Sequence, residues 1–433
     1  MKNLGSKLNF IFLTVVVFII FLGNVDYDIN PNPNLPIDTG DTAWMMVACA
    51  FVLLMTPGLA FFYGGMVNIK NIISTMLQSF VALGVISVVW VLVGFSLAFG
   101  DSIYGVIGNP MTYFNFQGVS LAPNDDYGST IPFLLFAFFQ LKFAIITPAL
   151  ISGSFAERIR FRSYILFMLL FTIFIYSPLA HMTWHPDGLL RQWGVLDFAG
   201  GTVVHMSAGL AALAGALYLG KRQRIEERPA NIPFVILGTG LLWFGWFGFN
   251  AGSALGANFD AVIAFANTNI ASAASMITWI FYDRFCNRKM SALGACIGAI
   301  VGLVAITPAA GFVTIGQSVF IGFTAAIISN IAVRAFKKSS IDDTLDVFPS
   351  HGVGGIVGMI LTAVFAKDVG LVYGNTEVFT AHLIAVVLVV AFTLAMSFVL
   401  YKLVDLMMPL RVRIDQEERG LDNSQHGEEM LSN

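Results

Sequence analysis

Charge is what this sequence has least of. Only 11% of its 433 residues are Asp, Glu, Lys or Arg, and 57% are hydrophobic. Soluble domains carry roughly a quarter charged residues, so a soluble globular enzyme or a nucleic-acid-binding domain is excluded. A mean hydropathy of +0.78 places the chain among polytopic membrane proteins. Cysteine is scarce too. Cys49, Cys286 and Cys296 are odd in number and lie in or beside apolar runs, which leaves no disulfide framework and no CxxC metal site. No HExxH pattern and no evident nucleophile–base pair occurs, so neither a cofactor nor an enzymatic reaction is expected. The net charge of −3 says little, because in a membrane the placement of charge counts for more than its sum. What the chain has in quantity is glycine, 41 residues of it, which suits close helix packing in lipid.

The apolar runs set the architecture. Residues 8–22 follow Lys2 and Lys7 and are short for a spanning helix, which needs about twenty residues. The stretch 1–24 reads as a signal peptide or, with no clean cleavage site, as an extra helix. The proline-rich segment 24–42 would then be an outside tail. Eleven spanning segments are expected after it, near 43–67, 72–99, 130–154, 161–180, 198–219, 232–250, 260–282, 291–307, 311–335, 347–366 and 379–407. They make up a membrane domain, 25–409, followed by a polar cytoplasmic tail, 410–433.

Basic residues orient this array. One alternate set of connecting segments carries 18 Lys and Arg, and the other only Arg191 and Lys367. The expectation is therefore an outside amino terminus and a cytoplasmic carboxyl tail. Eleven helices divide as five, five and one. A five-helix repeat has an odd number of crossings, so its second copy enters the membrane upside down. That is the inverted-repeat plan of many transporters, with the working site at the repeat interface.

The fifth and tenth segments carry the chemistry. DFAGGTVVHMSAG, 197–209, brings Asp197 and His205 into an apolar run, and DVFPSHGVGGIVG, 346–358, does the same with Asp346 and His351. Ionisable groups at membrane depth are costly and usually face an interior cavity. A neutral imidazole has one donor and one acceptor nitrogen. Two of them sharing a proton leave their other nitrogens for a small polar solute; a purely structural pair and a metal site are the alternatives. Asp197 fits either a direct cation ligand or a helix cap. Trp184, Phe143 and the GWFGFNAGSA stretch, 245–254, with Trp246, Phe249 and Ser253, lie near expected outer helix ends. They read as an interfacial aromatic belt or as cation–π partners. Lys142, next to Phe143, would repel a cation and is expected to face away from any pore. The tail is either a disordered solvating segment or, on its Gly-Leu-Asp and His-Gly-Glu elements, a docking segment.

With FYGG (62–65), FAERIRF (155–161), DFAGGTVVH (197–205), GWFGFNAGSA, DVFPSHGVGGIVG and the tail's GLD…HGE in this order, the chain resembles the ammonium transporter (Amt/MEP) family, within the ammonium transporter–Rhesus superfamily. The resemblance runs from about residue 41 to about 428. It implies homotrimers with one pore per subunit in the inner (plasma) membrane, taking NH4+/NH3 and possibly methylammonium. It makes Trp184, Phe143 and Ser253 the outer NH4+ site with Asp197 in support, Phe143 and Phe249 the stacked gate, and His205 and His351 the twin pore histidines. It also implies regulation by a PII-type signal protein at the cytoplasmic face, through the tail. A Rhesus-like neutral gas channel and an ammonium sensor are the competing functions within this resemblance.

Overall fold

The computed structural model describes residues 2–23, 36–225 and 228–430. The outside tail expected at 24–42 lies outside the described residues up to position 35, as do the last three residues of the carboxyl tail. The leader forms α1, Lys2–Leu22. After it come α2 (Thr39–Met66), α3 (Ile69–Phe99), α4 (Phe133–Ser154), α5 (Phe161–Gln192, interrupted at 185–188), α6 (Gly201–Leu219), α7 (Ile232–Ala254) and α8 (Phe259–Phe285). The remainder are α9 (Ala292–Ile306), α10 (Ile315–Lys338), α11 (Phe348–Phe365), α12 (Thr376–Met407) and the short α13 (Ile414–Arg419).

Each of the eleven segments read from sequence coincides with one of α2–α12. Ten of these helices have the length and apolar character to cross a membrane, and α9, at 15 residues, is short for it. Helix α5 also runs past its expected end at 180, with Pro178 inside it directly after a π-helical turn, Thr172–Tyr176. Ends are set by side-chain caps. Asn258 accepts from Ala261 N, Ser291 from Gly294 N and Asn375 from Val378 N, while Thr314 and Gln317 form a reciprocal capping box.

Large apolar side chains on α8, α10 and α12 face away from the bundle, among them Phe259, Phe281, Phe323 and Val387. Apolar exposure on this scale is a liability in water and the expected state in lipid. Inside, the helix contacts of the first half recur in the second. Helix α2 packs on α3 and α4 as α7 packs on α8 and α9; α4 meets α6 as α9 meets α11; and α2 and α7 pack along each other. The body of α6 touches the first turn of α11, and the body of α11 touches the first turn of α6.

That exchange rests on one close approach. A Cβ on Gly209 would stand 2.1 Å from Gly352 N and 2.3 Å from Gly352 Cα, so only glycine lets these backbones meet. Both helices open with a π-helical turn, Gly201–Met206 and Phe348–Val353, a feature common at functional sites.

The loops 100–132 and 185–200 lie at one end of the bundle, here the loop face, and the tail lies at the other. The tail is a docked strap. Val412 N donates to Arg158 O, and Arg160 N donates to Leu410 O. Buried Asp422 accepts from Ile73 N and Ser74 N at the start of α3, a favourable place for a carboxylate. A solvating, undocked tail is therefore not what this sequence makes over 410–430.

Candidate functional site

A cavity of about 400 Å³ opens at the loop face, and Phe143, Trp184, Asp197 and Ser253 all line it. The indole of Trp184 is fixed by its Nε1 donating to Asp197 O at 3.1 Å. Ser253 donates its hydroxyl to Phe249 O at 2.9 Å, which leaves the oxygen's lone pairs for a donor in the cavity. The ring of Phe143 meets Trp184 edge-on, centroids 5.9 Å apart, and lies 4.2 Å from Phe249. Phe143, which lines the cavity, and Phe249, stacked on it, are both buried.

Behind the rings stand the histidines. His205 stacks between Trp246 at 5.3 Å and His351 at 5.4 Å, with Phe249 at 5.9 Å. Nδ1 of His205 and Nδ1 of His351 are 3.4 Å apart, close enough to share one proton, with the tautomer setting which of them donates. Nε2 of His205 is buried and has no partner among the described residues. Trp246 Nε1 donates to Thr307 Oγ1, holding the indole against His205.

Beyond His351 a small void is lined by Tyr63, Leu345 and Ser350, and Leu345 also borders a cavity of about 320 Å³ on the tail face. This second cavity holds Asp342, Asp343 and Asp346 beside Arg222 and Lys337. Burial pushes the Asp346 carboxyl up to about 7, opposed by the Lys337 ammonium 3.9 Å away. Arg222 bridges Glu157 at 2.9 Å and Asp342 at 2.8 Å, and those partners hold its guanidinium charged against burial.

Of the positions named from sequence, four line the loop-face cavity, Phe249 stacks on Phe143, His205 and His351 pair behind them with Trp246 against His205, and Asp346 lines the tail-face cavity. Asp197 serves its own backbone. Its carboxylate accepts from Gly200 N, Gly201 N, Thr202 N and Thr202 Oγ1, at 2.5 to 2.8 Å. Gly200, at φ 115°, makes the turn that lets those amides converge. Asp197→Ala should therefore lower stability by about 3 kcal/mol, since hydrogen bonds to a charged group are each worth about 1.5–3 and a relaxed turn recovers part. Thermal unfolding in detergent measures it; a midpoint unchanged from wild type would rule this role out.

The pairing of Asp346 with Asp197 needs correcting. Asp343 is the equivalent residue: its Oδ2 accepts from Phe348 N five residues on, as Asp197 Oδ2 does from Thr202 N, and it lies eight residues before His351 as Asp197 lies eight before His205. Asp346 instead has φ 55° and sits in the turn between them. Lys142 points away from the cavity, its Nζ 5.6 Å from the centre of the exposed Phe138 ring. Gln140 was missed, although it lines the cavity one helical turn before Phe143; that spacing was the available signal. No cluster of three or more His, Cys, Asp or Glu side chains able to hold a metal occurs among the described residues.

Fold and site together define a multi-pass helical membrane protein whose two halves meet at a buried aromatic and imidazole path. The model of the Ammonium Transporter Family matches residues 43–431. An ammonium transporter of Aquifex aeolicus is 47% identical over 399 residues, covering 90% of this chain and 93% of its own. The crystal structure of Saccharomyces cerevisiae Mep2 is similar with a TM-score of 0.82 at 34% identity, covering 88% of this chain and 89% of that one. A solved sensor Amt protein matches with a TM-score of 0.82 at 29% identity, covering 89% and 98%. The chain belongs to the ammonium transporter family.

Proposed function

We propose that this protein moves ammonium across the membrane by binding NH4+ in the loop-face cavity, removing its proton before the phenylalanine pair, and passing NH3 along His205 and His351 while the proton travels separately. The observation that carries the reading is the order of the groups: cation-attracting cavity, apolar closure, then an imidazole pair with a free, buried Nε2. Ring faces hold a desolvated cation by about 2 kcal/mol each. An intact ion between Phe143 and Phe249 loses far more in hydration than two rings return. A neutral ammonia does not carry that penalty, and the imidazole nitrogens give it partners inside. K+ has no proton to give up, so the closure and the imidazole pair behind it together stop it.

The topology belongs to the same proposal. With 18 basic residues on one set of connections against 2 on the other, the loop face is outside and the tail cytoplasmic. Eleven crossings then form an inverted five-plus-five repeat with α12 added, in the plasma membrane. A homotrimer with one pore per subunit and a PII-type partner at the tail face rest on the family resemblance. Ammonium uptake into proteoliposomes holding a pH indicator tests transport: an imposed gradient should change interior pH faster than in protein-free vesicles, and equal rates would sink the reading.

The docked tail favours a second reading, in which occupancy of the site is signalled through the strap; one structural relative is named a sensor Amt protein. Deletion of 410–433 separates the two. Transport with a regulatory tail expects flux within about threefold of wild type in liposomes and a lost regulatory response in cells. Flux that is negligible in both full-length and truncated protein favours the sensor.

A further inference from the structure

We propose that Gln140 is a further acceptor for the ammonium ion in the loop-face cavity, a proposal that rests on the transport reading. Phe136, Gln140 and Phe143 follow at intervals of four and three residues on α4, so they share one face, and all three line the cavity. Gln140 is 8% exposed, and its Oε1 is sealed from solvent with no hydrogen-bond partner. Its Nε2 makes no hydrogen bond to any described residue either. An amide left unpaired in such a place is destabilising, and native proteins keep few of them.

The neighbouring polar groups are already committed. Trp184 donates to Asp197 O, Ser253 to Phe249 O, and the Asp197 carboxylate holds the turn at 200–202. Gln140 is not. Because neither end of its amide is bonded, rotating the head group by half a turn breaks nothing within the described chain. The carbonyl oxygen then faces whatever the cavity holds. For a cation that donates hydrogen bonds, this completes the set. NH4+ has four N–H groups, and the cavity meets them with the faces of Phe143 and Trp184, the Ser253 lone pair and the Gln140 oxygen. Methylammonium keeps three N–H groups and gives up one of these contacts. For K+, two oxygens are too few to replace a hydration shell. Gln140 thus selects for the number of N–H donors, where the rings select only for positive charge.

The test uses the full chain in supported membranes, with ammonium-evoked current recorded over a concentration series for wild type, Gln140→Leu and Gln140→Glu. The leucine variant keeps the size and removes the acceptor; the glutamate variant keeps an acceptor. We expect Gln140→Leu to raise the half-saturating ammonium concentration about tenfold, as loss of one hydrogen bond to a charged group implies. The same variant should narrow the preference for ammonium over methylammonium, and Gln140→Glu should hold the half-saturating concentration at or below that of wild type. A Gln140→Leu value within twofold of wild type, or equal weakening in both variants, would overturn the proposal. If Gln140→Leu fails to fold, a weakened Gln140→Glu still overturns it and a wild-type-like one supports it. A wild-type protein that gives no ammonium response at all refutes the transport reading instead.

Discussion

Replacing His205 and His351 together by alanine is expected to cut ammonium flux by about tenfold to a hundredfold and to erase its selectivity over K+. The magnitude follows from what the imidazoles replace. A polar solute in an apolar lumen without a partner loses about 1–3 kcal/mol per unmade hydrogen bond, and each factor of ten in rate is about 1.4 kcal/mol. Among the described residues the pair brings two ring nitrogens to 3.4 Å beneath Phe249, and Nε2 of His205 is left open beside it. Alanine also removes the ring that Trp246 stacks on, so the variant must be shown to fold by its melting temperature before its flux is compared. Ammonium flux and K+ exclusion both intact in proteoliposomes would mean the pair has no part in conduction.

Gly209→Leu is the second large effect. Its Cβ would lie 2.1 Å from Gly352 N and 3.0 Å from His351 C, and backbone cannot swing aside as a side chain can. Overpacking a core costs about 1–3 kcal/mol when neighbours give way; here a whole helix must move, so a loss above about 3 kcal/mol is expected. Any protein that still folds has α6 and α11 prised apart, with the two Nδ1 atoms beyond hydrogen-bond reach and flux lost with them. A melting temperature and a flux both near wild type would show that the crossing is looser than this geometry, and would detach the histidine pairing from Gly209.

The spanning helices were legible because lipid demands long apolar runs, and α2–α12 lie where those runs predicted. The paired histidines were legible for the complementary reason: an ionisable group in such a run has little other use. What the sequence hid was geometry between elements. Three acids precede His351, at five, eight and nine residues, and spacing alone does not say which one holds the first turn of α11; the answer lies in the amide of Phe348 meeting Asp343. Gln140 escaped because an amide in an apolar helix looks like a packing residue until the cavity beside it is known. The Gly-Leu-Asp and His-Gly-Glu elements of the strap at 410–430 pointed to docking, but not to where, because its partners, Ile73, Ser74 and residues 158–161, are hundreds of positions away in the chain. Helix α9 shows the limit in the other direction: a recognisable apolar run yields 15 helical residues, fewer than a membrane crossing needs alone.

The central claim is that an ammonium ion enters, gives up its proton, and is followed across by that proton, while ions without a proton are refused. Current recorded from purified protein on supported membranes tests it most directly. A step of ammonium is predicted to evoke an inward-positive, saturable current, and an equal step of K+ none. A K+ current of similar size would contradict the refusal of intact ions, and ammonium flux with no current would contradict proton transfer and leave a neutral gas channel in its place.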